Sequence, residues 1–181
     1  MPKRRKRAPA QPAAYQPHEC AILSIDPGEV SGWALLVTGL VCASGTAAGS
    51  TERASAIARA VNKAHFWSRP LVVVAETWPR RMRGGVPTGA LSAWSLWRES
   101  LAESGIPKRR VVRVHVGRWS AAILGGAALT TEQRRARSIA RARHETARES
   151  IDHDEAAAIC IGIYASRSPE VAKVLPKRRS A

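Results

Sequence analysis

Short apolar runs separated by turn residues make up the first part of the chain. Residues 21–25 form an apolar run of strand length that ends in Asp26, and Pro27-Gly28 then turns the chain sharply. Two further runs, over residues 33–37 and 40–43, follow with short glycine turns between them. This pattern predicts an antiparallel meander of three strands.

Helices and strands alternate in the prediction for the rest of the chain. A helix is expected first, then a buried strand over residues 71–75 that ends in Glu76. A helix with tryptophans at helical spacing, which indicates core or dimer contacts, precedes a strand over residues 111–114. Thr130 resembles the cap of an arginine-rich helix, and the uncharged residues 156–165 predict a buried final helix. The order predicts a single α/β domain with a five-stranded mixed sheet flanked by helices.

Carboxylates stand at the ends of two predicted strands and at the start of the last helix. If the first and fourth strands are neighbours, Asp26 and Glu76 lie side by side at one edge of the sheet. The last helix can bring an acid from the group Asp152, Asp154 and Glu155 to the same edge. A carboxylate at the tip of a buried strand is costly unless a cation, water or a donor meets it. The competing interpretation is that each acid caps a loop or pairs with an arginine.

Several carboxylates within a few ångströms repel one another, and a pair of Mg²⁺ ions, for which Mn²⁺ can substitute, removes that repulsion. Oxygen ligands favour these hard cations over zinc. We interpret Asp26, Glu76 and Asp154 as the metal ligands and catalytic acids, with Glu155 and Asp152 as alternatives for the third position. A metal pair of this kind activates water and stabilises a leaving oxygen.

The composition adds a strong positive charge to this picture. The 181 residues contain 29 Lys and Arg against 14 Asp and Glu, which gives a net charge of +15 and a pI near 11.2. A charge this large in a small chain points to nucleic acid, with an anionic membrane surface as the competing partner. No apolar run approaches the roughly 20 residues of a bilayer span. We therefore expect phosphodiester hydrolysis, with no membrane partner and no small-molecule cofactor.

The basic residues also divide the chain into three parts. Residues 1–18 predict a flexible basic arm, residues 19–167 the nuclease domain, and residues 168–181 a basic C-terminal tail. The expected location is the cytoplasm of a bacterial or phage-infected cell. An organelle transit peptide or a nuclear-import signal would have an arm of similar composition.

Two further groups of basic residues are candidates for DNA contact. The loop after Glu76 combines a tryptophan with arginines and glycines, which suits close approach to a nucleic-acid backbone and stacking on a base. The helix after Thr130 carries six arginines with few balancing acids, which favours a phosphate-facing surface. The candidate DNA-binding residues are Trp78, Arg80, Arg81, Arg83, Arg118, Arg134 and Arg135.

Three motifs occur in order between residues 20 and 165. They are Ile25-Asp26-Pro27-Gly28 with Ser31-Gly32, Val74-Ala75-Glu76, and His153-Asp154-Glu155-Ala156-Ala157-Ala158-Ile159. Together they resemble the motifs of the RuvC-type Holliday-junction resolvases of the ribonuclease-H-like superfamily, in particular the phage-type members.

The resemblance implies a ribonuclease-H-like fold and a homodimer that binds branched DNA, the four-way junction, and cuts two opposed strands symmetrically with Mg²⁺. It also implies that Gly125-Gly126 and the arginine helix form part of the DNA-binding surface. Trp78 is the nearest candidate for an aromatic residue that helps to open the junction. The predicted function is therefore a metal-dependent, structure-selective DNA endonuclease.

The last motif departs from the family pattern, which has two acids three residues apart. One register places Asp154 at the first acid and Ala157 at the second, so that the fourth carboxylate is absent. The other register pairs Asp152 with Glu155, which also share a helical face. Because of Ala157, the alternative function is that of a non-catalytic DNA-binding protein on the same fold. A nuclease for RNA:DNA hybrids is a third hypothesis.

Overall fold

The structure is a computed structural model that describes residues 16–77, 88–126 and 128–175. Within this part of the chain, five strands form one sheet that is flanked by helices, which confirms the predicted α/β architecture. The strands are β1 Ala21–Asp26, β2 Ser31–Val37, β3 Leu40–Ala47, β4 Leu71–Thr77 and β5 Val111–His115. The helices are α1 Ser50–Phe66, α2 Thr88–Glu103, α3 Val116–Leu124, α4 Thr131–Thr146, α5 His153–Ala165 and the short α6 Pro169–Ala172.

The strands lie in the order β3-β2-β1-β4-β5, and the sheet is mixed. Strands β1, β2 and β3 form the predicted antiparallel meander, while β4 runs parallel to β1 and β5 runs parallel to β4. Parallel neighbours need a crossover connection, which α1 provides between β3 and β4. As a result, the carboxyl ends of β1, β4 and β5 meet at one edge of the sheet.

Side-chain alternation along the strands divides the core into two layers. In β1, Ile22 packs with α3, α4 and α5 on one face of the sheet, whereas Leu23 packs with α1 and α2 on the other. Asp26 continues the series of Ile22, and Glu76 continues that of Val74 in β4. Both acids therefore point to the face that α5 covers.

Two glycines, one on β2 and one on α5, allow helix α5 to pack closely against the sheet. A Cβ atom at Gly32 in β2 would overlap the backbone carbonyl of Asp154, and one at Gly162 would overlap side chains of the sheet. The buried Ser24 hydroxyl donates a hydrogen bond of 2.7 Å to the carbonyl oxygen of Ala158. These contacts fix the position of α5 against β1 and β2.

The tryptophans of α2 belong to the core, which was one of the two roles predicted for them; the other was a dimer contact. Trp97 is fully buried, and Trp94 and Leu101 are nearly so, all in the layer shared with α1. The guanidinium of Arg113 in β5 lies over the Trp94 ring, 4.4 Å from its centroid. These buried side chains therefore hold α2 against the sheet.

The capping box predicted at the start of α4 is confirmed. The Thr130 hydroxyl accepts a hydrogen bond from the Gln133 backbone N–H at 3.2 Å, and the Gln133 side chain accepts one from the Thr130 N–H at 3.1 Å. This reciprocal pair satisfies two backbone donors and fixes where α4 begins.

The segment after α5 also packs onto the domain. Val171 in α6 and Leu175 are buried in the same apolar layer as α5. The packed part of the chain therefore extends to Leu175. None of the helices in the described ranges is long and apolar enough to cross a membrane.

Candidate metal centre

Strands β1 and β4 bring Asp26 and Glu76 together. The register pairs Ile25 with Ala75, so the next residue of each strand lies at the same edge of the sheet. Asp26 is the last residue of β1, and Glu76 is 6% exposed. Two carboxylates at the ends of neighbouring parallel strands, on the same face of the sheet, therefore lie close together.

The first turn of α5 adds a third carboxylate. Asp152 is the N-cap of α5, and its Oδ1 accepts a hydrogen bond of 2.8 Å from the backbone N–H of Asp154. Asp154 then faces the same cavity as Asp26 and Glu76, a space of about 180 Å³. The other residues that line this cavity are Trp119, Thr131, Arg134, Arg135, Ser138, His153 and Ala157.

Burial raises the pKa of all three acids, and neighbouring carboxylates raise it further at Asp26 and Asp154. Burial, followed by the charges of Glu76 and Asp154, raises the pKa of Asp26 well above its usual 3.8. Burial raises the pKa of Glu76 to about 7, against the Trp119 hydrogen bond and the charge of Arg134. The pKa of Asp154 is also raised, chiefly by burial. Burial is the largest cause for all three, so the cavity holds carboxylates whose charged forms are unfavourable without a bound cation.

Trp119 fixes the orientation of the Glu76 carboxylate. Its indole N–H donates a hydrogen bond of 2.8 Å to Oε2 of Glu76, and the tryptophan itself is 1% exposed in the core. A buried donor of this kind holds a potential ligand in one rotamer and leaves its other oxygen free to face the cavity.

Asp152 and His153 lie at the rim of the site. One ligand atom each from Asp152, His153 and Asp154 lie within 4.8 Å of one another. The His153 Nε2 is 3.1 Å from Oδ1 of Asp154. Asp152 is exposed and is absent from the cavity lining, since its carboxylate caps α5.

The structure does not bring Glu155 to the cavity. Its carboxylate is 6% exposed, lies 2.6 Å from the Arg148 guanidinium, and accepts a hydrogen bond of 2.6 Å from the Ser44 hydroxyl. Glu155 therefore links the start of α5 to β3 and to the segment after α4. This is the arginine-paired arrangement that was the competing interpretation for each of the acids.

The residues predicted to contact DNA lie in different parts of the chain. Arg134 and Arg135 line the carboxylate cavity. Arg118 pairs with Glu170 on α6, and its side chain is 65% exposed. The other predicted DNA contacts, namely Trp78, Arg80, Arg81 and Arg83, lie outside the described residues.

Four of the six arginines that were predicted to form a phosphate-facing surface have partners within the domain, among them Arg134, which donates to the carbonyl oxygen of Leu129. Arg137 donates to the carbonyl oxygen of Leu124 at the end of α3, at 2.8 Å. Arg141 pairs with Glu145 at 2.5 Å, and Arg148 pairs with Glu155. A charge pattern along a helix does not reveal such partners, because they come from other elements or from within the helix itself.

The residues of the cavity fit a divalent cation. Asp26, Glu76 and Asp154 offer oxygen ligands, the donor set that Mg²⁺ and Mn²⁺ prefer. Burial is the chief cause of the raised pKa values of the first two, so their charged forms are unfavourable in the metal-free cavity and a cation would stabilise them. Ala157, one turn after Asp154 on α5, lines the cavity with a methyl group where a carboxylate could stand.

Sequence reasoning missed Trp119 and His153 as parts of this site. Trp119 lies within α3, and its contact with Glu76 joins residues 43 positions apart, so no local pattern reveals it. His153 could have been noticed, since it stands between two acids at the start of the helix.

The fold is ribonuclease-H-like: a mixed sheet of five strands with the observed order, covered by helices on both faces. The solved structure of Thermus thermophilus RuvC is similar to this chain, with a TM-score of 0.52 and 18% identity over 80% of this chain and 95% of that one. T. thermophilus RuvC in complex with a Holliday junction substrate gives a TM-score of 0.53 and 16% identity, with 80% and 91% covered. No protein-family model and no curated protein sequence matches the chain.

Substitution of Asp154 and Glu155 separates the two registers of the last motif. We expect Asp154→Asn to weaken Mn²⁺ binding by about tenfold or more, since even residues that only orient a metal ligand can have that effect. Glu155→Gln keeps a hydrogen-bond partner for Ser44 and should leave Mn²⁺ affinity unchanged while it lowers the melting temperature. Calorimetric titration with Mn²⁺ measures the affinity of both variants, and a thermal melt measures the stability of Glu155→Gln. A larger loss of affinity for the Glu155 variant would contradict this assignment.

The raised pKa of Glu76 predicts how pH affects the stability of the metal-free protein. A carboxyl whose pKa rises from 4.5 to about 7 on folding holds its proton longer in the folded state. The contribution of this group to the free energy of unfolding is therefore highest below pH 4.5, falls between pH 4.5 and about 7, and levels off above that, with a total loss of at most about 3 kcal/mol.

Urea denaturation in a chelator at pH 5 and pH 8 measures this loss. The comparison is with Glu76→Gln, in which the dependence should be smaller because the titrating group is gone. Identical dependence in the two proteins would show that Glu76 does not titrate in this range. Addition of Mn²⁺ at pH 8 should restore stability to the parent and not to the variant.

Proposed function

We propose that this protein is a metal-dependent, structure-selective DNA endonuclease that resolves four-way junctions by symmetric cleavage of two opposed strands. The observation that carries the proposal is the meeting of Asp26, Glu76 and Asp154 in one cavity that Arg134 and Arg135 also line. Carboxylates suit a divalent cation, guanidinium groups suit phosphate, and the net charge of +15 suits a polyanion.

The three carboxylates would hold Mg²⁺, for which Mn²⁺ can substitute. The cation, when bound, supplies Lewis acidity that activates water and stabilises negative charge on phosphate oxygens. Trp119 keeps the Glu76 carboxylate in place, and Arg134 and Arg135 orient the phosphodiester. In the hydrolysis, a water oxygen forms a bond to phosphorus and loses its proton. The bond from phosphorus to the leaving deoxyribose oxygen breaks, and that oxygen takes up a proton.

Symmetric cleavage requires two active sites. The described part of the chain contains one cavity in which three carboxylates meet, so we infer that two copies of the chain act together as a homodimer. A solved protein of the same fold, T. thermophilus RuvC, is known in complex with a Holliday junction substrate, which supports the four-way junction as the substrate class.

A non-catalytic junction-binding protein is the second candidate. The observation that favours it is Ala157, whose methyl group lines the cavity where a fourth carboxylate could complete a site for two metal ions. A protein of this kind would keep the basic surface and the fold but cut slowly or not at all.

A cleavage assay on fluorescently labelled DNA decides between these functions. We expect paired nicks at symmetric positions of a four-way junction in Mg²⁺ or Mn²⁺, and little cleavage of a linear duplex of the same sequence. Tight junction binding without product at any metal concentration would support the binding protein instead. Preferential cleavage of an RNA:DNA hybrid in a competition assay would contradict junction resolution.

A further inference from the structure

The cavity of the three carboxylates has a cationic part that comes from α4. Thr131, Arg134 and Arg135, all in the first turns of this helix, line the same space as Asp26 and Glu76. Of the two arginines, Arg134 is partly buried and Arg135 is exposed. A helix N-terminus with these residues adds positive potential to a site that otherwise collects carboxylates.

Arg134 reaches this space with part of its hydrogen-bonding capacity unused. One of its terminal nitrogens, Nη2, donates to the carbonyl oxygen of Leu129 at 3.3 Å, which anchors the guanidinium. The Nε–H is buried and has no hydrogen-bond partner in the part of the chain that the structure describes. Because the Nε–H is closed off from the cavity, the terminal nitrogens of the guanidinium are the donors that can reach a ligand there.

The same guanidinium acts on the two strand-end carboxylates without pairing directly with them. Its positive charge lowers the pKa of both Asp26 and Glu76. No ion pair within 4.0 Å joins Arg134 to either acid among the described residues. Arg134 is therefore close enough to influence the cavity's charge but leaves the carboxylate oxygens open to another cation.

We propose that each cavity holds a single divalent cation, and that Arg134 occupies the role of a second cation by donating a terminal guanidinium N–H to a non-bridging oxygen of the scissile phosphate. This inference rests on the proposed nuclease function and revises the pair of ions expected from the sequence. It gives Arg134 a specific catalytic role in place of general DNA contact.

The charges of the cavity support one ion. Asp26, Glu76 and Asp154 carry three negative charges against the two guanidinium groups of Arg134 and Arg135, so one divalent cation already outweighs the remaining negative charge. Ala157 lines the cavity with a methyl group, which cannot help to hold a second ion. A second divalent cation would have too few ligands in this cavity and would be repelled by the fixed charge of Arg134.

Metal binding tests the inference without DNA. Calorimetric titration of metal-free protein with Mn²⁺ should give one ion per chain for the parent. Arg134→Ala should still bind one ion, with affinity raised roughly fivefold because a like charge has been removed. The matched control is Arg143→Ala, which removes an exposed arginine of the same helix and should leave Mn²⁺ affinity unchanged.

Single-turnover cleavage provides the second readout. Arg134→Ala should cut a four-way junction about 10²-fold more slowly, the size of effect found when one transition-state donor is lost. Tighter metal binding together with slower cleavage is the signature of a cation that shares the site with the metal. Weaker metal binding with slower cleavage, accompanied by a lower melting temperature, would indicate a structural role and overturn the inference.

Adding a fourth carboxylate to the cavity provides the third test. The double variant Ala157→Asp with Arg134→Ala should bind two Mn²⁺ ions, whereas the pairing of Ala157→Asn with Arg134→Ala should still bind one. Two ions per chain in the parent would overturn the inference and leave the nuclease proposal standing. One ion in a parent that never cuts DNA would support the metal stoichiometry and contradict the nuclease proposal.

Discussion

Asp26→Asn is expected to abolish junction cleavage while junction binding persists. An amide cannot supply the negative ligand at the tip of β1, so the metal-dependent stabilisation of the transition state, worth several kcal/mol, is lost. The cleavage rate should fall by roughly 10³-fold or more. Junction affinity in an electrophoretic mobility assay should stay the same or rise slightly, because one negative charge has been removed near phosphate.

The same variant has an informative effect on stability. Because burial and neighbouring carboxylates raise the pKa of Asp26, its charged form is unfavourable in the metal-free protein. We therefore expect Asp26→Asn to melt no lower than the parent at pH 8 in a chelator. Glu132→Gln, which neutralises an exposed acid outside the cavity lining, is the matched control and should cut like the parent. Cleavage by Asp26→Asn at the parental rate would remove the basis of the nuclease proposal.

Gly32→Ala is expected to have the second large effect, although Gly32 has no functional group. A Cβ atom there would overlap the carbonyl of Asp154, so the first turn of α5 must move away from β2. Overpacking of this kind costs about 1–3 kcal/mol, and a displacement of about 1 Å at a catalytic group can cost about 10²-fold in rate. Mn²⁺ affinity and cleavage should both fall markedly, together with the melting temperature.

Gly89→Ala is the control for this substitution. Gly89 lies in α2, and a Cβ atom added there meets nothing within 4 Å. Alanine is also the better helix former, so the melting temperature should hold or rise slightly. Parental metal affinity in Gly32→Ala would show that the position of α5 does not control the site.

The pairing of Asp26 with Glu76 could be predicted from sequence because it depends on local patterns. Each acid ends an apolar run of strand length, and the order of elements makes the first and fourth strands plausible neighbours. The side-chain period of two then places both carboxylates on one face of the sheet. The observed parallel pairing of β1 with β4 meets that expectation.

The choice among Asp152, Asp154 and Glu155 could not be made from the sequence. Successive residues of a helix point about 100° apart, so only the packing of α5 decides which one faces the cavity. That packing depends on distant residues: Ser44 on β3, 111 positions from Glu155, helps to hold the Glu155 carboxylate. Gly32 sets the approach of α5 near Asp154.

The roles of the arginines were equally beyond the sequence pattern. Six of them in one segment suggested a uniform phosphate-binding surface, yet Arg137 caps the end of α3 and Arg148 neutralises Glu155. Arg134 differs from them only in where α4 places it. Long cationic side chains reach several possible partners, and tertiary contacts decide among them.

The most direct test of the account is a crystal of the parent protein soaked in Mn²⁺ and measured at the manganese absorption edge. The account predicts one anomalous peak in the cavity, about 2.2 Å from carboxylate oxygens of Asp26, Glu76 and Asp154. A cavity without a peak, or a peak held only by Asp152 and His153 at the rim, would contradict it.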